Sequence, residues 1–405
     1  MVNIAVLGYG VVGSGVYEVL NVNKESITKK TGDEINIKYI LDLREFPGNP
    51  AEKLIVHDFD IIANDSEIDI VVEAMGGTDP AYTYAKRSLE SGKNYCTSNK
   101  ELVAKHGPEL LELAKKMNKN FLFEASVGGG IPIIRPLNHS LTSDEILEIN
   151  GILNGTTNFI LTKMDREGLD FATVLKEAQA LGYAEKDPTA DVEGFDACRK
   201  IAILSSLAFG ENVNYEDIYT EGITKITDID FKYAAAMNRS VKLLGRCKRE
   251  DDKFSAIVAP FMIGTDYPLY SVAGVLNGIL VKGNTVGDVM FYGSGAGKLP
   301  TASAVVSDIV EAAKHLNTNI MTIWSSKKLE LESKDAMSNC FFVRLEGAAA
   351  DREAEVKAAF GDVEFVTVDG IGGEFAFVTD KVNEKEFADK IETFAGVRQT
   401  IRVEK

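Results

Sequence analysis

Apolar and polar positions follow one repeating pattern over the first 132 residues. A short apolar run of strand length leads to a polar or glycine-rich break, and then to a stretch with helical spacing. The apolar runs fall at 3–7, 35–41, 69–74, 94–97 and 121–123, and the helical stretches at 14–20, about 80–90 and about 100–117. Strands alternating with helices predict a parallel, doubly wound α/β sheet. In such sheets ligands bind beyond the carboxyl ends of the strands.

After Pro132 the rhythm changes. Residues 145–153 read as a strand, and Asn154-Gly155-Thr156-Thr157-Asn158 as a turn rich in small donors that feeds a helix. A partly helical stretch covers 226–241, and strands are expected at 255–260 and 275–281. Strands grouped on one sheet make this an α+β region. Residues 292–303 form a second glycine-rich loop before a helix at about 304–316. Lys298 is not followed directly by Ser or Thr, so a phosphate-binding P-loop is rejected. The reading is a loop returning to a nucleotide site, with a plain linker turn as the alternative. The last segment has strands at 340–345, 363–368, 374–379 and 399–403, and helices at 352–360 and about 384–394. That βαββαβ order is the ferredoxin-like unit. Three domains are expected: 1–132 (completed by a helix at about 301–320), 133–300 and 337–405.

A chain of 405 residues fits two or three domains. Its net charge of −17 argues against nucleic acid or an acidic membrane surface as partner. No stretch is long and apolar enough to span a bilayer, and the N-terminus enters a strand without a basic-then-apolar signal. Cys96, Cys198, Cys247 and Cys340 are scattered, with no zinc spacing. Reduced thiols in a cytoplasmic protein are expected.

Gly8-Tyr9-Gly10-Val11-Val12-Gly13 sits between the first strand and the first helix. In this G-x-G-x-x-G pattern Gly8 permits a tight turn, Gly10 lets a pyrophosphate approach, and Gly13 lets helix and strand pack closely. Free N–H groups at Val11, Val12 and Gly13 would meet the phosphates. The second strand ends in Asp42-Leu43-Arg44. An acid there binds the ribose hydroxyls of NAD, and an arginine accepts the 2′-phosphate of NADP. Both are present, so the choice stays open. The stretch from Gly13 to Asp42 is also longer than the usual spacing. Gly76-Gly77, Asn99-Lys100 and Glu124 follow later strands, on the ligand-binding edge. A solvated lysine at a helix start is the plainer reading of Lys100.

The stretch 182–200 begins as a polar loop and ends as a helix. Pro188 suits a helix start, and Asp191 and Glu193 put negative charge at the positive end of the dipole. Asp196 and Lys200 are one turn apart on one face. The run 201–209 is apolar nearly all round, so the lysine stands where a surface loop enters a core. An exposed ion pair is the bland alternative.

Taken together these motifs resemble the homoserine dehydrogenase family over essentially the whole chain. The residues carrying the resemblance are Gly8 to Gly15, Ser98-Asn99-Lys100, Glu124 to Pro132, Asn154 to Ile160, the stretch 182–200, Gly295-Ala296-Gly297 and Pro300-Thr301-Ala302. The resemblance implies a Rossmann-type NAD(P)-binding domain, a substrate and dimerisation domain, and reversible reduction of L-aspartate 4-semialdehyde to L-homoserine. In the family this is a step toward threonine, methionine and isoleucine.

It also implies roles by position. Lys200 and Lys100 match the lysines of the reactive centre. Glu185, Asp191, Asp196, Thr156 and Gly155 match the substrate site, and Gly295 the cofactor site. Glu124 lies where the family binds a sodium ion, with carbonyls at Val127, Gly129 and Ile131. A homodimer or homotetramer is implied. The C-terminal segment resembles an ACT domain, a module that binds effector amino acids. Where ACT modules carry Asp-x-Pro-Gly, this chain has Glu346-Gly347-Ala348-Ala349-Ala350-Asp351, so a structural or dimer-forming role stands beside effector binding.

Lysine titrates near ~10.4 in water, and burial or a second ammonium lowers that value. Lys200 as acid/base, with Lys100 polarising or relaying and Asp196 orienting, follows as an expectation, as does Glu185 on the substrate ammonium. The competing readings are a non-catalytic NAD(P)-dependent metabolite sensor and a dehydrogenase of a related semialdehyde. No cysteine has a convincing setting as a nucleophile.

Overall fold

A computed structural model describes residues 1–404. The chain divides into two compact units. One comprises Met1–Glu145, Ala202–Asn214 and Gly293–Leu329, and the other Ile146–Ile201, Tyr215–Tyr292 and the chain from Glu330 onward.

The first unit holds a six-stranded sheet in the spatial order Ile55–Val56, Ile35–Leu41, Val2–Leu7, Ile70–Glu73, Asn94–Thr97, Phe121–Leu122. Every pairing is parallel. The sheet grows outward in both directions from Val2–Leu7, which is the doubly wound α/β arrangement expected. An additional helix, Lys24–Thr31, follows Val11–Val22 and accounts for the long spacing between Gly13 and Asp42. The strand Ile55–Val56 was not foreseen; two residues are too short for any periodicity to register.

The helix Lys298–Lys314 starts well before the expected 304, and Gly287–Ser294 is a strand. The second glycine-rich loop is therefore short. Pro300 lies in the first turn of that helix, where its missing N–H costs nothing. The helix packs on Val11–Val22 so closely that a Cβ on Gly15 would stand 2.8 Å from Lys298 O.

In the second unit the main sheet runs Gly287–Ser294, Leu276–Gly283, Ile146–Ile152, Arg239–Glu250, Lys253–Gly264, Val397–Val403, Ser338–Glu346, Glu374–Val378, Glu364–Val366. Helicity was expected through 241, but the helix Asp228–Ala236 ends early and Asn238, at φ 55°, turns the chain into a strand. That strand hides in the sequence because Lys242 and Arg246 interrupt its apolar run, although Lys242 is buried.

The last four strands stand in the order fourth, first, third, second, with helices Ala349–Phe360 and Glu384–Ile391, a ferredoxin-like arrangement. Phe341 and Phe387 stack in its core at 3.7 Å between ring centroids. Parallel pairing of Phe261 with Arg402 and Met262 with Val403 makes this module continuous with the preceding sheet. Among the described residues no helix is long and apolar enough to cross a membrane.

Candidate active site

In the first unit, Gly8 has φ +92°, and a Cβ on Gly13 would lie 1.9 Å from Gly8 O. The turn therefore closes only with glycine at both positions. A Cβ on Gly10 would meet nothing within 4 Å, which leaves the backbone open to an approaching ligand. Gly8 and Gly10 line a cavity of about 500 Å³ with Asp42, Arg44, His57, Met75 and Tyr84. These features suit the nucleotide that the glycine pattern predicts.

All acceptor positions of the Asp42 carboxylate are filled. Oδ1 accepts Arg44 N at 3.0 Å and Arg44 Nε at 2.9 Å, while Oδ2 accepts Tyr9 N and Arg44 Nη2, both at 2.8 Å. The Arg44 guanidinium holds Asp42 well below the usual carboxylate range. The hydrogen bond to Asp42 O raises His57.

Asn99 caps the helix Lys100–Lys116, accepting Glu101 N and Leu102 N, each at 3.1 Å. Its Nδ2 donates to Gly77 O at 2.5 Å. Buried Glu73 accepts Met75 N at 2.6 Å, Gly76 N at 3.1 Å and Thr97 Oγ1 at 2.6 Å. The Gly76-Gly77 loop and the start of Lys100's helix are thus one bonded assembly.

Glu124 is buried and accepts three backbone N–H groups: Ile133 at 2.6 Å, Ile134 at 2.9 Å and Arg135 at 2.7 Å. The loop at 127–131 presses on the second glycine-rich loop. Gly130 N donates to Ser294 O at 3.0 Å, and a Cβ on Gly129 would lie 2.3 Å from Gly295 O. Among the described residues no group of three or more His, Cys, Asp or Glu is placed to hold a metal ion, so a cation here would rest on main-chain carbonyls.

The stretch 188–200 in the second unit is two helices, not one. Thr189–Val192 stops at Glu193, Gly194 at φ +83° turns the chain, and Phe195–Phe209 begins afresh. Lys200 Nζ lies 2.7 Å from Asp196 Oδ2 and 2.8 Å from Leu153 O. The side chains are only 12% and 3% exposed, so the bland reading of an exposed pair fails.

Asn154-Gly155-Thr156 is a helix start rather than a turn: Asn154 caps Gly155–Glu167. Its Nδ2 reaches Asp191 Oδ1 at 2.7 Å and Asp196 Oδ2 at 2.8 Å. Thr156 Oγ1 donates to Tyr183 O at 2.5 Å, which ties this helix to the loop bearing exposed Glu185. Asp191, Asp196 and Lys200 are therefore gathered around Asn154. Lys100 belongs to the other unit.

The family model for "Homoserine dehydrogenase" matches residues 132–310, and that for "Homoserine dehydrogenase, NAD binding domain" matches residues 8–124. The homoserine dehydrogenase of Bacillus subtilis is 36% identical, over 100% of this chain and 98% of its own. The chain belongs to the homoserine dehydrogenase family. The Neisseria gonorrhoeae enzyme is 45% identical over 77% of this chain and 72% of its own. The crystal structure of a homoserine dehydrogenase from Thiobacillus denitrificans superposes with a TM-score of 0.89 at 35% identity, covering 100% of this chain and 98% of that one. A hyperthermophilic archaeal homoserine dehydrogenase, solved with NADPH, gives a TM-score of 0.68 at 29% identity over 80% of this chain and 99% of its own.

The chain is thus an NAD(P)-dependent oxidoreductase of this family. Two features of the site were not read from sequence. Asn154 was seen only as part of a turn, although Asn before a helical run is a capping signal. Asn99 carried the same signal. Burial raises the Cys96 and Cys198 thiols, which makes both poor nucleophiles.

Proposed function

We propose that this enzyme interconverts L-aspartate 4-semialdehyde and L-homoserine with NAD(P)H or NAD(P)⁺, on the route to threonine, methionine and isoleucine. The observation that carries this reading is the buried Asp196–Lys200 pair gripped by the Leu153–Asn154 junction. When bound, the nicotinamide supplies hydride chemistry. The protein's part is to move a proton at the substrate oxygen. Lys200 is assigned that role: two of its three protons are held by Asp196 and Leu153 O, which fixes the direction of the third. Lys100, at its helix start, polarises or relays. Glu185 is assigned to the substrate ammonium, with Asp191, Asp196, Thr156 and Gly155 completing the substrate site.

Gly8, Gly10, Val11, Val12, Gly13, Asp42, Arg44, Gly76, Gly77, Lys100 and Gly295 are assigned to the cofactor. A sodium ion is assigned to the loop 124–131. The Glu124 carboxylate is already taken by three N–H groups, so its main-chain oxygen would join those of Val127, Gly129 and Ile131. Oxygen donors suit a hard cation. Three domains, a cytoplasmic homodimer or homotetramer, and an ACT-like C-terminal module complete the proposal. Continuity of the C-terminal sheet with its neighbour favours a structural role for that module over effector binding.

Lys200→Ala tests the central assignment. Loss of turnover by about 10²-fold or more, with nucleotide binding kept, is expected of an acid/base residue. Near-normal turnover would overturn it.

A further inference from the structure

The polar groups around Asn154 form one continuous string. Asn154 Nδ2 donates to Asp191 Oδ1 at 2.7 Å and to Asp196 Oδ2 at 2.8 Å. That Asp196 oxygen also accepts Lys200 Nζ at 2.7 Å. Lys200 in turn donates to the carbonyl of Leu153, the residue before Asn154, at 2.8 Å. On its other side Asn154 Oδ1 accepts Thr157 N at 2.8 Å and Thr157 Oγ1 at 3.0 Å. A primary amide has two protons and two lone pairs on oxygen. Here both protons and at least one lone pair are used, the single Thr157 hydroxyl proton being shared between Asn154 Oδ1 and Asn154 O at 3.1 Å. The orientation of the amide follows. Exchanging its nitrogen and oxygen would set an oxygen against two carboxylates and an NH₂ group against the N–H of the helix start.

Two carboxylates sharing a site resist joint ionisation unless positive charge or donors intervene. Asp191 comes from the helix Thr189–Val192 and Asp196 from the helix that carries Lys200. The junction at Leu153 and Asn154 contributes neutral groups: a carbonyl to the lysine and one amide proton to each aspartate. Asn154 is itself 6% exposed, so water does not readily replace it.

We infer that Asn154 is a positioning residue: it lets Asp191 and Asp196 stay ionised side by side, and so sets the charge felt by Lys200 and the direction of its ammonium. This rests on the reading of Lys200 as the acid/base group.

Asn154→Asp separates the two jobs of the side chain. Aspartate caps a helix as well as asparagine does, but it lacks the NH₂ group and adds negative charge. The variant is expected to keep the helix cap and the nucleotide affinity, with some loss of stability from a third carboxylate in a buried site. In homoserine oxidation, where Lys200 must be neutral to take a proton, added negative charge favours the protonated lysine. The rising limb of kcat against pH should therefore move to higher pH by about 1 unit or more. Turnover on that limb then falls about tenfold. Asn154→Ala removes the donors without adding charge, so one aspartate should take up a proton and the limb should move to lower pH, with an added loss of stability from the missing cap. A merely structural role would lower stability and leave the limb in place.

An Asn154→Asp profile that superposes on wild type would overturn the inference. Lys200→Met, measured in parallel, separates the two claims. If that variant loses turnover while the Asn154→Asp profile is unmoved, only the role of Asn154 falls. If it keeps turnover, the acid/base reading falls and this inference with it.

Discussion

Lys200 Nζ and Asp196 Oδ2 are 2.7 Å apart, one helical turn from each other, in side chains only 12% and 3% exposed. A pair so enclosed is not the weak surface bridge that spacing alone describes. Asp196→Asn keeps the shape and removes the charge. It should lower kcat for homoserine oxidation by about 10²-fold while leaving nucleotide affinity unchanged, since general acid–base contributions are of that order. Steady-state rates and nucleotide titration check this. A kcat near wild type would show that the pair is structural only.

The cofactor preference turns on Asp42 and Arg44. With Arg44 N, Nε and Nη2 and Tyr9 N all bound to the carboxylate, Asp42 has no free acceptor for a ribose hydroxyl until Arg44 swings away. Arg44→Ala frees the acid and removes the cation that a 2′-phosphate would use. The ratio of kcat/KM for NAD⁺ over NADP⁺ should rise by about tenfold or more, the scale of one charge-assisted contact. An unchanged ratio would place the choice elsewhere.

Lys242 is buried on the strand Arg239–Glu250, and burial lowers it to about 8 from 10.5. Below pH 8 the folded and unfolded states both carry the proton, and the fold bears a buried charge. Between pH 8 and 10.5 the unfolded state binds more protons than the folded one, so this group's contribution to stability rises with pH. Lys242→Met should therefore stabilise the protein at pH 7, by on the order of 2 kcal/mol once the lost bond to Val272 O is allowed for. That advantage should shrink toward pH 10. Denaturant unfolding of both proteins at the two pH values measures it. A pH-independent difference would contradict the assignment.

Glu124 organises the turn at 133–135 by accepting three N–H groups. Glu124→Ala leaves those donors buried without their acceptor, and should cost on the order of 3 kcal/mol in unfolding free energy. Glu124→Gln can accept but not with full charge, and should fall between. Equal stability of all three proteins would show that water or a neighbour replaces the carboxylate.

How legible the chain was depended on where the information lay. The strand Ile35–Leu41 is a local apolar run between polar breaks, and it was read to the residue. The strand Arg239–Glu250 was missed because its buried Lys242 and half-buried Arg246 are tolerated only by tertiary partners: Val272 O for Lys242, and Glu148 with Glu404 for Arg246. The break at Gly194 was missed because Pro188 and the acids after it satisfy helix rules on their own. In the candidate site, Asp196 and Lys200 are visible as an i,i+4 pair. Asn154 lies 37 residues before Asp191, and no local rule reports a bond across that distance.

The most direct test of the account is the initial rate with L-homoserine, comparing NAD⁺ and NADP⁺ under the same conditions and following reduced nicotinamide. Turnover is expected with at least one of them, and lower by about 10²-fold or more in Lys200→Ala. A folded protein that binds nucleotide yet produces no reduced cofactor with either would contradict it, and would favour a sensor that reads metabolites without transforming them.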